Sequence, residues 1–249
     1  MFNEFHYQVR GRGHEQDGTR GQDRTGHVSR GGVQALCLAD GAGSAAQSEL
    51  GAQAVVDEGC ALLVEGFAPF VTAEDAEQAR RNILERLHDR LDEVAERNGC
   101  TRVDLASTFL AVAATNDKFI VAHIGDGVIG YVRNGKLLVV SAPDNAEFAN
   151  QTTFVTSPDA ATSIRLFRGS MEGVAGFVLM SDGASASLYD FRAKTLAPAC
   201  AKLIDVVRNA PTRQVQNPSY KKHLRRLVDT KLRLATKDDC AIGILGRRP

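Results

Sequence analysis

Between residues 103 and 141 the chain carries three tight apolar segments with the period of extended strands, DLASTFLAVAAT, KFIVAHIGDG and VIGYVRNGKLLVVS. Turns such as Asn116-Asp117 and Asn134-Gly135 join them, and Asn-Gly between alternating apolar runs is a strong hairpin signal. Further strands are expected at 5–10, 33–39, 152–155, 163–167, 174–180 and 240–245. Helical patterning covers 45–64 and 74–97, where Ile83, Leu87, Leu91 and Val94 recur at three or four residues beside a charged face. Asn98-Gly99 ends that helix as a C-cap, and two more helices are expected at 194–208 and 220–232. Runs of hairpin-connected strands, with helices grouped in pairs, indicate an α+β chain rather than an alternating parallel sheet.

The 22-residue stretch GRGHEQDGTRGQDRTGHVSRGG (11–32) fits none of these patterns. It has too few apolar residues for burial to order all of it, and a long loop inside a compact domain is usually functional or disordered. Residues 145–157 and 209–219 lack a clear apolar period and are candidate surface loops. No linker, repeat or low-complexity tract divides the 249 residues, so a single domain spanning 1–249 is expected.

Apolar content of 43% provides for a core, and 30 basic against 30 acidic residues leaves no bulk charge to attract nucleic acid or an anionic membrane. The five cysteines are scattered, without a CxxC pair, which argues against a disulfide framework or thiolate zinc site and for a reducing compartment. No signal-peptide pattern or membrane-length apolar run is present, so a cytoplasmic location is expected.

The candidate chemistry lies where apolar strands meet aspartates: Asp40 in LADGAG, Asp126 in HIGDGVIG, Asp182 in LMSDGAS, and Asp238-Asp239 in TKDDCAIGIL. Asp23 falls in the polar loop. Each alone has a plain reading, Asp126-Gly127 as a hairpin turn and Asp40 or Asp182 as an aspartate near a helix start. Together, strand ends that converge would crowd carboxylates, and two unit charges about 4 Å apart cost on the order of 4 kcal/mol at an effective dielectric of 20. Such a cluster must protonate or hold a cation. An oxygen-only donor set selects hard ions such as Mg²⁺ or Mn²⁺.

In order, Gln22-Asp23, Asp40-Gly41-Ala42-Gly43, Ser107-Thr108, Gly125-Asp126, Ser181-Asp182-Gly183 and Asp238-Asp239 resemble the successive motifs of the metal-dependent protein phosphatases of type 2C. The resemblance implies a four-layer α-β-β-α sandwich, two antiparallel sheets flanked by helix pairs. It implies hydrolysis of phosphoserine and phosphothreonine in proteins by a water bridging two Mn²⁺ or Mg²⁺ ions. By this resemblance Asp40 bridges both ions and Gly41 lends a carbonyl. Asp182 and Asp238 hold one ion, Asp23 acts directly or through water, and Asp126 helps with a third, looser ion. Asp40, Asp182, Asp238 and His14 form the expected catalytic set. Phosphorylated protein substrates and an opposing serine/threonine kinase are the implied partners, with no nucleic acid or membrane, and the protein is expected to be a monomer.

The pattern departs in three places. His14, in Gly11-Arg12-Gly13-His14, stands where the family's phosphate-binding arginine is expected, and Arg12, Arg20 and Arg24 are other candidate phosphate ligands. Histidine there would bind phosphate or serve as general acid; an exposed loop histidine is the plain alternative. Ala186 occupies the place of an aspartate that aids the third ion, and Gln22 that of an acidic residue. These departures keep a second reading open, a pseudophosphatase that binds phosphoproteins as a regulatory module.

Other motifs carry less. Gly41-x-Gly43-x-x-Ala46 has dinucleotide-fingerprint spacing, and Ser44 with Gln47 fits a capping box for the following helix. The fingerprint needs a second strand ending in an acid about 20 positions on, and Asp57 and Glu58 lie in helical patterning instead. His27 and His123 lack partners at zinc-ligand spacing, and Ser107 lacks a nucleophile elbow. The basic helix KKHLRRLVDTKLRL (221–234) reads as a solvated face over an apolar stripe, or as a docking surface for acidic partners.

Overall fold

The computed structural model describes residues 1–143, 152–211 and 219–249. Its first half runs β1 (Phe2–Val9), α1 (Arg12–Gln16), β2 (Arg24–Arg30), β3 (Val33–Ala39), α2 (Ser48–Glu65), α3 (Phe67–Thr72), α4 (Ala76–Asn98), β4 (Phe109–Ala114) and β5 (Lys118–Ile124). There follow β6 (Val128–Arg133), β7 (Lys136–Ser141), α5 (Ala160–Ser163), β8 (Arg165–Ser170), β9 (Val174–Met180) and α6 (Asp182–Leu188). A small hairpin, β10 (Tyr189–Asp190) and β11 (Thr195–Leu196), precedes α7 (Ala199–Arg208), α8 (Ser219–Leu227), α9 (Arg233–Ala235) and β12 (Cys240–Arg247).

Strand β3 shows why the layers stack. Val33, Ala35, Cys37 and Ala39 point into one apolar cluster with α2 and α4, while Leu36 and Leu38 point into another between the sheets. A strand apolar on both faces must be covered on both. Two five-stranded antiparallel sheets result, β2-β3-β4-β5-β8 and β1-β12-β9-β6-β7. Leu110, Val112 and Val121 of the first meet Phe177, Leu179 and Leu245 of the second. Helices α7 and α8 cover the outer face of the second sheet through Leu203, Ile204 and Leu224. The α-β-β-α sandwich expected from the sequence is the fold.

Register decides what meets at each end. Arg24 pairs with Ala39, Phe109 with Ile124, Met180 with both Val128 and Ile242, and Val9 with Cys240. The C-ends of β1, β3, β5 and β9 therefore gather with the N-ends of β2, β4, β6 and β12. Asp40, Asp126, Asp182, Asp238 and Asp239 all lie at this end.

The structure departs from the pattern reading in identifiable places. Residues 24–30 of the supposed polar loop form β2, an edge strand paired to β3 along its whole length. Its polar residues Thr25, His27 and Ser29 hide its period, although Thr25 is buried against His6 and Gln8 and the exposed part is the far end, Val28 to Arg30. Helix α2 starts at Ser48, not Ser44, and its N-cap Gln47 makes no side-chain cap bond, so the expected capping box does not form. The cap of α4 is Asp75, whose carboxylate accepts from Glu77 N–H and Gln78 N–H, and Gly99 closes the helix at φ 63°. Residues 152–154 are irregular rather than a strand, and the helix expected over 194–208 gives its first residues to β11. Helix α8 passes into a π turn at Val228–Leu232. Much of the surface loops expected at 145–157 and 209–219 lies outside the described residues. All five cysteines are free, and among the described residues no helix is long and apolar enough to cross a membrane.

Candidate metal centre

Asp40 leaves the end of β3 and is fixed by its backbone. Its N–H donates to Thr108 Oγ1 at 2.9 Å, and its carbonyl accepts from Thr108 N–H at 2.8 Å. Gly41 is buried and bridged to Ser107, so Ser107-Thr108 braces the metal-site candidates rather than acting as a nucleophile. Asp126 lies where the chain crosses from β5 in one sheet to β6 in the other, which rules out the hairpin reading, and Thr152 Oγ1 donates to its carboxylate. Arg165 supports that crossing by donating to the Gly125 carbonyl at 2.8 Å. Asp182 opens α6, and the Gly183 N–H donates to it.

Asp23, before β2, is 2% exposed. Ser181 Oγ donates to its Oδ2 at 2.8 Å and accepts from Ala241 N–H at 2.9 Å, so one hydroxyl ties Asp23 to β12. Its Oδ1 is buried with no hydrogen-bond partner. A buried carboxylate oxygen without a donor is costly unless a cation supplies the missing charge.

The electrostatics agree. Burial, then the charge of Asp239, pushes Asp23 well above the usual carboxylate range. Burial, then Asp23, Asp182 and Asp126, does the same to Asp40. Asp182 is raised to about 6 by burial, then by Asp238 and Asp126. Asp23 and Asp40 thus act on each other, Asp40 and Asp182 on each other, and Asp126 and Asp238 on Asp182; among the described residues none of these five forms an ion pair with a lysine, arginine or histidine. Among the described residues no three His, Cys, Asp or Glu already stand as a ready-made ligand set. The carboxylates instead lean on Ser181, Thr152 and the Gly183 N–H. The donor set fits a hard divalent cation in its chemistry: oxygens only, a surplus of negative charge, and an orphaned buried oxygen.

Asp239 is the residue that sequence reasoning missed. Asp238 is exposed, whereas Asp239 is 1% exposed and gathers the N-terminal loop. Its Oδ1 accepts from Gly11 N–H at 2.6 Å and meets His14 Nδ1 at 3.0 Å, and its Oδ2 accepts from the N–H groups of Gln22 and Asp23. Gly11 and Gly183 clasp the Asp238-Asp239 backbone from two sides. A Cβ on Gly11 would come within 2.3 Å of the Asp238 carbonyl carbon, and one on Gly183 within 2.1 Å of the Asp239 carbonyl oxygen. The strand alternation of β12 held the signal, since Ala241 and Leu245 face the space between the sheets and Asp239 is in phase with them.

Among the candidate phosphate ligands, His14 meets the carboxylate of Asp239. Arg24 folds back onto the carbonyls of Gly21 and Asp23, each at 2.8 Å, Arg12 donates to Thr236 O, and Arg20 reaches Glu49 at 3.5 Å. His123 is buried beside Ser141 Oγ at 2.7 Å, and burial, then Arg165, lowers its pKa well below the usual imidazole value. His27 bonds Gln34, so neither forms a zinc site. The segment after Gly43 is a turn, and no helix starts close enough to receive a pyrophosphate, which removes the dinucleotide reading.

The family model described as protein phosphatase 2C matches residues 10–229. Serine/threonine-protein phosphatase 3 of Escherichia coli K12 is 30% identical over 130 residues, 52% of this chain and 51% of the relative, so the match spans about half of that protein's length. Serine/threonine phosphatase Stp1 from Staphylococcus aureus superposes with a TM-score of 0.67 at 17% identity, covering 100% of this chain and 96% of that one. The catalytic domain of serine threonine protein phosphatase PstP, solved in complex with two manganese ions, gives 0.62 at 18% identity and covers 100% and 99%. With its fold, its strand-end aspartates and a family match over most of its length, this chain belongs to the protein phosphatase 2C family.

Proposed function

We propose that the protein hydrolyses phosphoserine and phosphothreonine esters in proteins with two bound Mn²⁺ or Mg²⁺ ions. The observation that carries this reading is the convergence of Asp23, Asp40 and Asp182, each raised by burial first and then by the charge of neighbouring aspartates, and none of them ion-paired to a cationic side chain among the described residues. The two manganese ions named for the PstP catalytic domain support the choice of metal and the number. Asp40 with the Gly41 carbonyl, Asp182 and Asp238 would hold the two ions, Asp23 would act on them directly or through water, and Asp126 would help hold a third. Ala186 is exposed at the surface of α6 and offers no ligand there. Bound divalent ions supply Lewis acidity, a water of lowered pKa and charge to offset the phosphoryl oxygens.

The chain's own residues orient and move protons. Asp239 accepts from the Nδ1 side of His14, which leaves Nε2 to carry a proton toward the departing serine or threonine oxygen. The same carboxylate, bonded to Gln22 and Asp23 N–H, fixes the loop that carries Asp23, and is a positioning residue. Phosphoprotein substrates, and a kinase that makes them, follow from this activity.

The test is hydrolysis of p-nitrophenyl phosphate and of a phosphothreonine peptide by the full chain with Mn²⁺, with EDTA, and with Asp40→Asn. Turnover that needs Mn²⁺ and vanishes in Asp40→Asn supports the reading. A folded protein that binds the phosphopeptide but never turns it over establishes the pseudophosphatase instead.

A further inference from the structure

Helix α8, its π turn and α9 run unbroken from Ser219 to Ala235. Between Ser219 and Lys237 stand seven lysines and arginines against one carboxylate, Asp229. The chain as a whole balances 30 basic against 30 acidic residues, so the excess is local. Helix α4 shows the ordinary arrangement, five arginines against six carboxylates, several of them paired along the helix. Solubility asks a surface helix for charge, not for charge of one sign.

Three of the seven cations seat the helix along β1. Lys221 pairs with Glu4, and Tyr220 Oη donates to the Glu4 carbonyl at 2.8 Å. Midway, Arg225 lies 5.6 Å from the centre of the Tyr7 ring, and Tyr7 Oη donates to Asp229 at 3.1 Å. Arg233 Nε donates to the Arg10 carbonyl at 2.9 Å, just past β1, and Arg233 pairs with Glu15. Contacts with Glu4, Tyr7 and Arg10 in that order make the helix run parallel to β1, toward the aspartate end. Leu224, Val228 and Leu232 are buried at i+4 spacing and form its inner side.

Lys222, Arg226 and Lys231, with Lys237 beyond the helix, do none of this. All four are exposed, and among the described residues none of them forms an ion pair. Glu4, Glu15 and Asp229 offset Lys221, Arg233 and Arg225, which leaves these four in surplus. Leu234, 54% exposed, adds an apolar side chain among them. The row leads to the metal-site candidates. Gly13 N–H donates to the Lys237 carbonyl at 2.8 Å, and the next residue is Asp238. Helix α9 packs on α6, which opens with Asp182. At 1.5 Å of rise per residue the row is roughly 20 Å long, the span of about six residues of extended peptide.

We propose that this row docks an acidic segment beside the phosphorylated residue of the protein substrate, an assignment that rests on the phosphatase reading above. Its charge is complementary to such a segment, and its position places the segment next to the cleaved ester. A membrane surface fits less well, because a helix lying on lipid needs an apolar face and this one's is buried against the sheet.

The test uses two phosphothreonine peptides of equal length, one with about four glutamates within six residues of the phosphothreonine, the other with glutamines in their place. The glutamates are tried on each flank in turn. With Mn²⁺ and low salt, kcat/KM for one acidic peptide should be about tenfold higher, through KM, and the advantage should shrink as salt is raised. Lys222→Gln, Arg226→Gln and Lys231→Gln together should abolish it, leaving the neutral peptide and p-nitrophenyl phosphate unchanged. Fluorescence anisotropy of the labelled, unphosphorylated acidic peptide reads docking without turnover and should show binding that the triple variant loses. A chain that binds this peptide but hydrolyses nothing overturns the phosphatase reading, and with it the substrate role. One that hydrolyses acidic and neutral peptides equally overturns the docking row alone. A preference that the triple variant keeps also overturns it, as does tighter, equally variant-sensitive binding to phosphatidylserine vesicles. If the triple variant melts early, Arg226→Gln and Lys231→Gln must each lower the preference singly.

Discussion

Two charge-dense regions of this molecule are built on opposite rules. On and around the outer face of α4 several carboxylates have a basic partner: Glu77 with Arg81 at 2.6 Å, Glu93 with Arg90 at 2.9 Å, Glu58 of α2 with Arg86 at 2.5 Å and Asp92 with Arg102. At the aspartate end, Asp23, Asp40, Asp126, Asp182 and Asp238 gather without an ion-pair partner among the described residues, and their side-chain bonds there come from hydroxyl, peptide and neighbouring carboxyl groups. The pKa directions follow. Asp92 is lowered by its bond to Arg102, while Asp23, Asp40 and Asp182 are raised by burial and like charge. The first arrangement balances its charge within the chain itself, and the second carries a surplus of negative charge that a bound cation would offset.

The sharpest way to break this comparison is Asp40→Asn. If the cluster exists to hold metal, the substitution should lower Mn²⁺-dependent turnover of a phosphothreonine peptide by about 10³-fold or more. The same change relieves repulsion, so the chelator-treated variant should melt at or above the wild-type temperature. A variant that is both active and less stable would place Asp40 among ordinary structural residues.

The next effect is on pH. The carboxyl of Asp182 has a folded pKa near 6, against an unfolded value of 3.8. A raised carboxyl pKa means the folded state holds its proton more tightly. Its contribution to stability is therefore full below the unfolded value and is lost as pH rises through about 6. The loss approaches 3 kcal/mol in order of magnitude. Metal-free wild type should fall behind Asp182→Asn in thermal unfolding as pH goes from 5 to 7.5, and Mn²⁺ should reverse the order at 7.5. No crossing of the two curves would show that the cluster is not under electrostatic load.

How much of this was readable beforehand depends on what a residue's neighbours in sequence reveal. Strands β3 and β9 match their expected bounds because both faces of each are apolar. Strand β2 was hidden because Thr25, His27 and Ser29 look like loop, although Thr25 is buried against β1. The aspartates were legible as strand ends, but their convergence is a matter of register between strands more than 200 residues apart, as with Val9 and Cys240. Asp238 and Asp239 are chemically identical in sequence; only packing against Gly11 and Gly183 sends one outward and the other in.

That difference gives a third, smaller prediction. Asp239→Asn keeps one acceptor oxygen but sets an N–H₂ against peptide N–H groups or His14. Its kcat should fall about 10–100-fold, the scale of lost orienting bonds around a metal site, with KM little changed. Asp239→Ala should also raise the Mn²⁺ requirement, because Asp23 loses its tether. A loss in Asp239→Asn that appears wholly in KM would assign Asp239 to substrate binding instead.

The smallest effect belongs to the other side of the comparison. Arg102 and Asp92 form two hydrogen bonds, yet their side chains are 37% and 51% exposed. Water already solvates both groups, and holding them together costs side-chain entropy, so an exposed pair contributes under about 1 kcal/mol. Arg102→Ala should lower unfolding stability by no more than that, less still at high salt, and should leave turnover unchanged. The isolated Asp92 would return toward an ordinary carboxylate pKa, because water takes the place of its partner. No such replacement is open to Asp23, whose Oδ1 is shut away from solvent. A drop of several kcal/mol in Arg102→Ala would mean that paired surface charge, rather than burial alone, holds α4 to its sheet.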